Sequence, residues 1–305
     1  MADCREQVYS DEFFDFIVSY EETNEQTIAG ACIQRIDEGY DIFYYPREGL
    51  PPLNVGSYSY SEIPKCYGLL DQTALEVSGI LKMQNQPVLA LKGRGVLIGF
   101  IDTGIDYTNP AFRYSDGSSR IVRIWDQTIQ DGTSPVGILY GAEYTREQIN
   151  AALLSENPYD LVPSRDRNGH GTFLAGVACG SESENGDFIG AAPQSEIIMV
   201  KLKEAKQYLR DFFFVKDGVP AYQENDIMMA VSYLNGVANI LNRPLVICVA
   251  LGNSAGSHAS EGFLPSYLNY ICGRRKRVVV TAAGNEANAR HHFQGRIIGE
   301  MEHEL

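Results

Sequence analysis

The sequence predicts an α/β protein, a parallel sheet with helices on both faces, preceded by a small α+β unit. Three observations lead there. From Gly95 onward, strand-like and helix-like stretches alternate, and such alternation means parallel strands joined by helical crossovers. The run Val96-Leu97-Ile98-Gly99-Phe100-Ile101 is almost continuously apolar, as a strand buried on both faces must be. Between Leu50 and Pro64 the composition turns to Pro, Gly, Ser and Tyr, which reads as an extended linker and a boundary between two parts.

The first part spans Glu12 to Pro46. Phe13, Phe14, Phe16, Ile17 and Val18 make one strand-like run and Ile42-Phe43-Tyr44-Tyr45 another, with a helix expected over Gln26 to Asp37. After the linker, whose Tyr58 and Tyr60 are expected to pack rather than bind, Asp71-Gln72-Thr73 opens a short helix running towards Met83. The strand ending at Asp102 is followed by Ile121-Val122-Arg123-Ile124-Trp125 and a polar excursion from Asp126 to Asp166, with a helix over Tyr144 to Leu154. A helix of small and apolar residues follows from Gly171 to Cys179, then a strand over Glu196 to Leu202. Glu224 to Leu241 carries the clearest helical period, with Ile227, Val231, Leu234, Ala238 and Leu241 on one stripe. Leu245 to Ala250 is the next strand, Leu264 to Ile271 a helix, and Arg277 to Ala282 a further strand.

Composition narrows the function classes. At 305 residues the chain has room for about two domains. With 44% apolar and 21% charged residues it is an ordinary globular chain, and its net charge of −14 argues against a nucleic-acid or anionic-membrane partner. There is no run of 18 apolar residues, and the first residues lack the basic and apolar regions of a secretory signal. Six scattered cysteines without a Cys-x-x-Cys pair suit free thiols in a reducing compartment, which points to an intracellular location.

Three glycine-flanked polar residues sit where a parallel sheet presents its ligand site, beyond the carboxyl ends of the strands. Asp102 ends the opening strand, His170 begins a buried helix, and Asn285 follows the last strand. A histidine base needs a carboxylate to fix its tautomer, and a helix N-terminus favours the neutral imidazole that accepts a proton. An asparagine amide at a strand end is a fixed dipole able to donate to a developing oxyanion. Asp106, Asp116 and Asp126 are expected to be turn and loop residues. His258, His291, His292 and His303 lack metal-ligand spacing and read as solvated surface, so no metal is expected.

Asp102-Thr103-Gly104-Ile105-Asp106, Asn168-Gly169-His170-Gly171-Thr172 and Ala283-Gly284-Asn285-Glu286, in that order, resemble the Asp, His and oxyanion-Asn signatures of subtilisin-like serine proteases. Gly190-Ala191-Ala192-Pro193 and Ala250-Leu251-Gly252-Asn253 are similar to two further elements of that family, the second lining the substrate pocket. The resemblance covers roughly Thr73 to Arg290 and is greatest to a clostridial branch that includes spore-germination subtilases. It implies a three-layer subtilisin-like fold with a parallel sheet, incomplete at its C-terminus. Residues 1–60 would be a prodomain-like α+β unit and linker, with its tail in the cleft, and residues 61–305 the N-terminal part of the catalytic domain. The implied activity is serine-type endopeptidase, with Asp102 orienting His170, Asn285 holding the oxyanion, and Ala250, Leu251 and Gly252 pairing with a polypeptide substrate. The implied location is the cytoplasm or the spore.

The nucleophile is a departure. In the family it lies in Gly-Thr-Ser-x-Ala well downstream of the oxyanion Asn, yet the 20 residues after Asn285 contain no serine. Gly132-Thr133-Ser134 is followed by Pro135 and precedes His170, so Ser134 is expected to be a decoy. The position of the family's calcium-binding Asp is Ala111, and no cofactor is expected. The alternative is a non-catalytic pseudoprotease that uses the same cleft for binding or regulation.

Overall fold

A computed structural model describes residues 4–19, 32–37, 39–69, 83–84, 86–87, 90–183, 188–253, 261–282 and 284. The short helix α1 (Cys4–Tyr9) leads into β1 (Phe13–Ser19), β2 (Cys32–Asp37) and β3 (Tyr40–Pro46), an antiparallel sheet in the order β1-β3-β2. The expected helix over Gln26 to Asp37 is corrected here: its described part is strand β2. Cys32 to Asp37 alternates buried and exposed side chains, the period of a half-buried strand, and β3 supplies its backbone partner. The free-thiol reading is also corrected, since Cys4 and Cys32 form a disulfide with Cα atoms 5.8 Å apart. Cys66, Cys179, Cys248 and Cys272 are free. In the linker, Tyr58 stacks on Phe16 at 5.0 Å, which gives it the packing role expected.

β4 (Cys66–Leu69) follows the linker, and the expected helix from Asp71 to Met83 lies almost wholly outside the described residues. The main body then builds from β5 (Leu97–Asp102), β6 (Ile121–Asp126), β7 (Ala142–Thr145), α2 (Arg146–Leu153), α3 (Pro158–Leu161), α4 (His170–Cys179), β8 (Glu196–Lys201), α5 (Gln207–Phe212), β9 (Tyr222–Gln223), α6 (Glu224–Ile240), β10 (Leu245–Val249), β11 (Leu251–Gly252), α7 (Phe263–Cys272) and β12 (Arg277–Thr281). Six strands form the central sheet in the order β12-β10-β5-β8-β6-β7, parallel except for the β6–β7 pair. The start of the expected helix at Tyr144 is instead the end of β7, and α2 begins after Thr145, whose side chain accepts from the Gln148 backbone in a capping box.

Every residue of β5 is buried, as the apolar run predicted. Its alternate residues face two cores. Leu97 and Ile101 join α6, α7 and the N-terminal sheet, while Ile98 and Phe100 join α4 and α2. α6 therefore lies between the central sheet and the N-terminal sheet, and α4 on the opposite face. Gly99 faces α6: a Cβ there would come within 2.7 Å of the Leu234 side chain. No helix among the described residues is long and apolar enough to cross a membrane.

Candidate active site

The topology brings Asp102 and His170 together. Asp102 closes β5 with 1% of its surface exposed, and His170 opens α4 with its ring half-buried over it. His170 Nδ1 lies 2.8 Å from Asp102 Oδ1 and 3.0 Å from Oδ2, so both carboxylate oxygens hold one ring nitrogen. Asp102 Oδ1 also accepts from the Thr103 backbone N–H at 2.8 Å. A carboxylate fixed in this way sets which ring nitrogen carries the proton and leaves the other for chemistry.

The approach is close because Gly171 has no side chain. A Cβ at this position would run into the Gly104 carbonyl oxygen and meet Asp102 Oδ1 at 3.1 Å. The same contact is tied by a residue that sequence reasoning missed, Asp166. Its Oδ1 accepts from Thr103 Oγ1 and from the Gly169 N–H at 2.8 Å each, and from the Asn168 N–H at 3.2 Å. Its Oδ2 accepts from the Thr172 N–H at 2.9 Å and Thr172 Oγ1 at 2.6 Å. Thr103 Oγ1 in turn accepts from the Gly171 N–H at 3.0 Å. One carboxylate thus caps the first turn of α4 and clamps it to the residue after Asp102. The signal in the sequence was an acidic residue four positions before the histidine, at the place where a helix leaves N–H groups unpaired.

The proposed pocket strand also lies at this end of the sheet. Ala250 is buried, and Leu251 and Gly252 form β11. β11 pairs antiparallel with β4, Leu251 opposite Leu69 and Gly252 opposite Gly68. The other edge of β4 pairs antiparallel with β9, Cys66 opposite Gln223 and Tyr67 opposite Tyr222. A segment of the chain itself is therefore the middle strand of a three-stranded antiparallel sheet, a feature invisible to local sequence patterns. Its entry is anchored at Lys65, whose N–H donates to Glu224 Oε2 at 3.2 Å while its ammonium lies 3.6 Å from that oxygen. Burial pushes the Glu224 carboxyl above its ordinary range, and Lys65 and the Leu264 N–H act against that push.

The remaining sequence candidates sort cleanly. Asn285 lies outside the described residues, as do His258, His291, His292 and His303. Ser134 Oγ donates to the Gly141 carbonyl at 2.9 Å and accepts from Arg5 at 3.0 Å, so its hydroxyl serves the loop before β7. Asp106, Asp116 and Asp126 each accept from the backbone two residues on, at Thr108, Ser118 and Thr128, as turn-forming aspartates do. At Ala111 the side chain is a methyl group and the carbonyl is taken by Arg120 at 2.7 Å, so this position does not fit a calcium ligand.

Comparisons with known proteins agree with this geometry. The model of the Subtilase family matches residues 93–297. Among solved structures, the CspB protease of Clostridium perfringens is similar at a TM-score of 0.58 and 35% identity, over 69% of this chain and 40% of that one. The major intracellular serine protease of Bacillus subtilis is 22% identical over 60% of this chain and 50% of its own length. The intracellular serine protease of Paenibacillus polymyxa is 28% identical over 36% of this chain and 24% of its own. The chain thus spans half or less of the length of each of these relatives.

Proposed function

The chain belongs to the subtilase family, and on that footing we propose that it works as part of a serine-type endopeptidase. The observation that carries the proposal is the two-oxygen grip of Asp102 on His170 Nδ1 at the carboxyl end of the parallel sheet. In this reading His170 takes the proton of a serine nucleophile and later gives it to the leaving amine, while Asp102 orients the ring and stabilises the imidazolium. The Asn285 amide donates to the oxyanion of the tetrahedral intermediate. Ala250, Leu251 and Gly252 hold a polypeptide substrate as an added strand, a mode that draws affinity from backbone hydrogen bonds.

Residues 1–60 are proposed as the prodomain-like unit with its linker and residues 61–305 as the N-terminal part of the catalytic domain. β4, just past that boundary and within the part assigned to the catalytic domain, lies between β11 and β9, in the slot this reading gives to a substrate strand. These 305 residues supply no serine after Asn285, so the chain by itself is proposed to be inactive. We place its work inside the cell or with the spore, on the likeness to two intracellular serine proteases.

The test begins with the coding sequence downstream of the Leu305 codon, which is expected to encode a Gly-Thr-Ser-x-Ala box. The longer product should hydrolyse casein, and Asp102→Ala or His170→Ala should each lower kcat by about 10⁴-fold. The 305-residue chain should not react with a serine-directed fluorophosphonate. Labelling of Ser134, or full activity in the His170→Ala variant, would sink the assignment.

A further inference from the structure

At the other end of the central sheet, roughly 20 Å from Asp102 along β5, the amino ends of four strands close around a second cavity. Arg94 precedes β5, Arg120 precedes β6, Glu196 opens β8 and Arg243 precedes β10, and with Arg113 they line a space of about 620 Å³. We propose that this cavity binds a phosphate group, either inorganic phosphate or the phosphate of a small ester.

Charge is the first argument. Acidic residues outnumber basic ones 39 to 25 in the chain, yet this cavity is lined by four arginines and one carboxylate. That carboxylate, Glu196, is already committed to Arg243 and to Arg146 behind it. Arg94, Arg113 and Arg120 have no acidic partner among the described residues. Arg94 Nε reaches only the Gln194 amide oxygen, at 3.3 Å, and Arg113 only the Thr108 carbonyl.

Arg120 is the second argument. It is 2% exposed, and its terminal nitrogens meet neutral oxygens alone: Ser195 O at 2.8 Å, Ala111 O at 2.7 Å, Cys179 O and Ser181 Oγ. The Nε of Arg120 and that of Arg113 have no hydrogen-bond partner. Burial of a guanidinium is costly and draws Arg120 below the usual arginine range, with Cys179, Tyr114 and the Glu196 carboxylate acting against that draw. Arg94 is exposed and among the described residues bonds only through Nε, so its terminal nitrogens remain as a planar fork that suits the oxygens of a phosphate. The volume lies in the range of small-molecule sites. Bound anion would neutralise the surplus charge and tie the starts of β5, β6, β8 and β10, so binding should raise folding stability.

The proposal is independent of the peptidase reading. Its test is calorimetric titration of the chain with inorganic phosphate and, separately, with glycerol phosphate as a small ester, alongside the melting temperature; the tighter of the two identifies the source. Chloride and citrate at matched ionic strength serve as controls. Saturable phosphate binding and a rise in Tm are expected. Arg94→Glu should weaken binding by about tenfold or more, and Arg113→Gln should weaken it as well. Arg94 is exposed, so its replacement leaves folding intact. Lys216→Glu, an exposed charge reversal outside the cavity, should leave binding unchanged. The proposal is overturned by absence of saturable heat, by equal binding of citrate, or by Lys216→Glu and Arg94→Glu having the same effect.

Discussion

Asp166 and Gly171 show how much of the site depends on residues that do no chemistry. The ring of His170 meets Asp102 because the first turn of α4 can press against the backbone at Gly104, and only a residue without Cβ permits that. The position is then held by the Asp166 carboxylate, which takes five hydrogen bonds from Thr103, Asn168, Gly169 and Thr172. Loss of an acidic cap that takes several hydrogen bonds, three of them part-buried, costs about 2 kcal/mol. We expect Asp166→Ala to lower unfolding stability by that amount in urea titrations, with Asp166→Asn retaining part of it. An unchanged midpoint would mean that water replaces the carboxylate at no cost.

At the scale of elements, α6 is the hinge between two layers. It packs Ile227, Val231, Leu234 and Ala238 into the core beneath β5, the stripe its sequence displays. Its first turn is unusual in burying two carboxylates, Glu224 against Lys65 and Asp226 against Lys203, the latter pair 2.6 Å apart. Burial raises both carboxyls above their model-peptide values of 4.5 and 3.8, with the lysines acting in the opposite direction. A raised folded value means that the folded chain holds these protons more tightly than the unfolded chain. Their contribution to stability is therefore fully present below about pH 4 and is withdrawn as pH rises through the folded values. The Asp226→Asn variant should show a flatter decline in stability between pH 4 and the neutral range than the parent chain, as followed by urea midpoints. A decline of equal slope in both proteins would remove Asp226 as the source.

At the scale of the whole molecule, the N-terminal sheet is fastened to the main body by polar as well as apolar contacts. Asp15 is buried and accepts from Lys206 at 2.5 Å, Gln223 at 2.8 Å and Asn225 at 3.3 Å. Val8, Ile17, Ile36, Ile42 and Tyr44 belong to the same core as Leu97 and Ile101. The Cys4–Cys32 disulfide closes a separation of 28 residues within this unit, and a loop of that size stabilises by about 3.6 kcal/mol. Reduction by dithiothreitol is expected to lower the urea midpoint accordingly, and Cys4→Ser to do the same without reductant. No change on reduction would show that packing of α1 and β2 already restricts the unfolded chain. The outer edge of the central sheet is less well covered, with Val278 and Val280 of β12 each about half exposed.

By itself the sequence determined whatever is written in local pattern. The apolar run into Asp102 predicted a strand buried on both faces, the period of Ile227 to Leu241 predicted α6, and the glycine-flanked boxes at Asp102 and His170 located both members of the pair. Local pattern suffices there because burial and helical period repeat over a few residues and each box surrounds its own functional side chain. Only the tertiary structure decided that Cys32 to Asp37 is a strand, that Cys4 meets Cys32, that Asp166 clamps α4 to Thr103, and that β4 lies between β11 and β9. The last three join residues far apart in the chain through backbone edges or single side chains, and the strand is set by its pairing with β3. Such pairing leaves no periodic trace in either partner, because its energy exists only once the two are brought together.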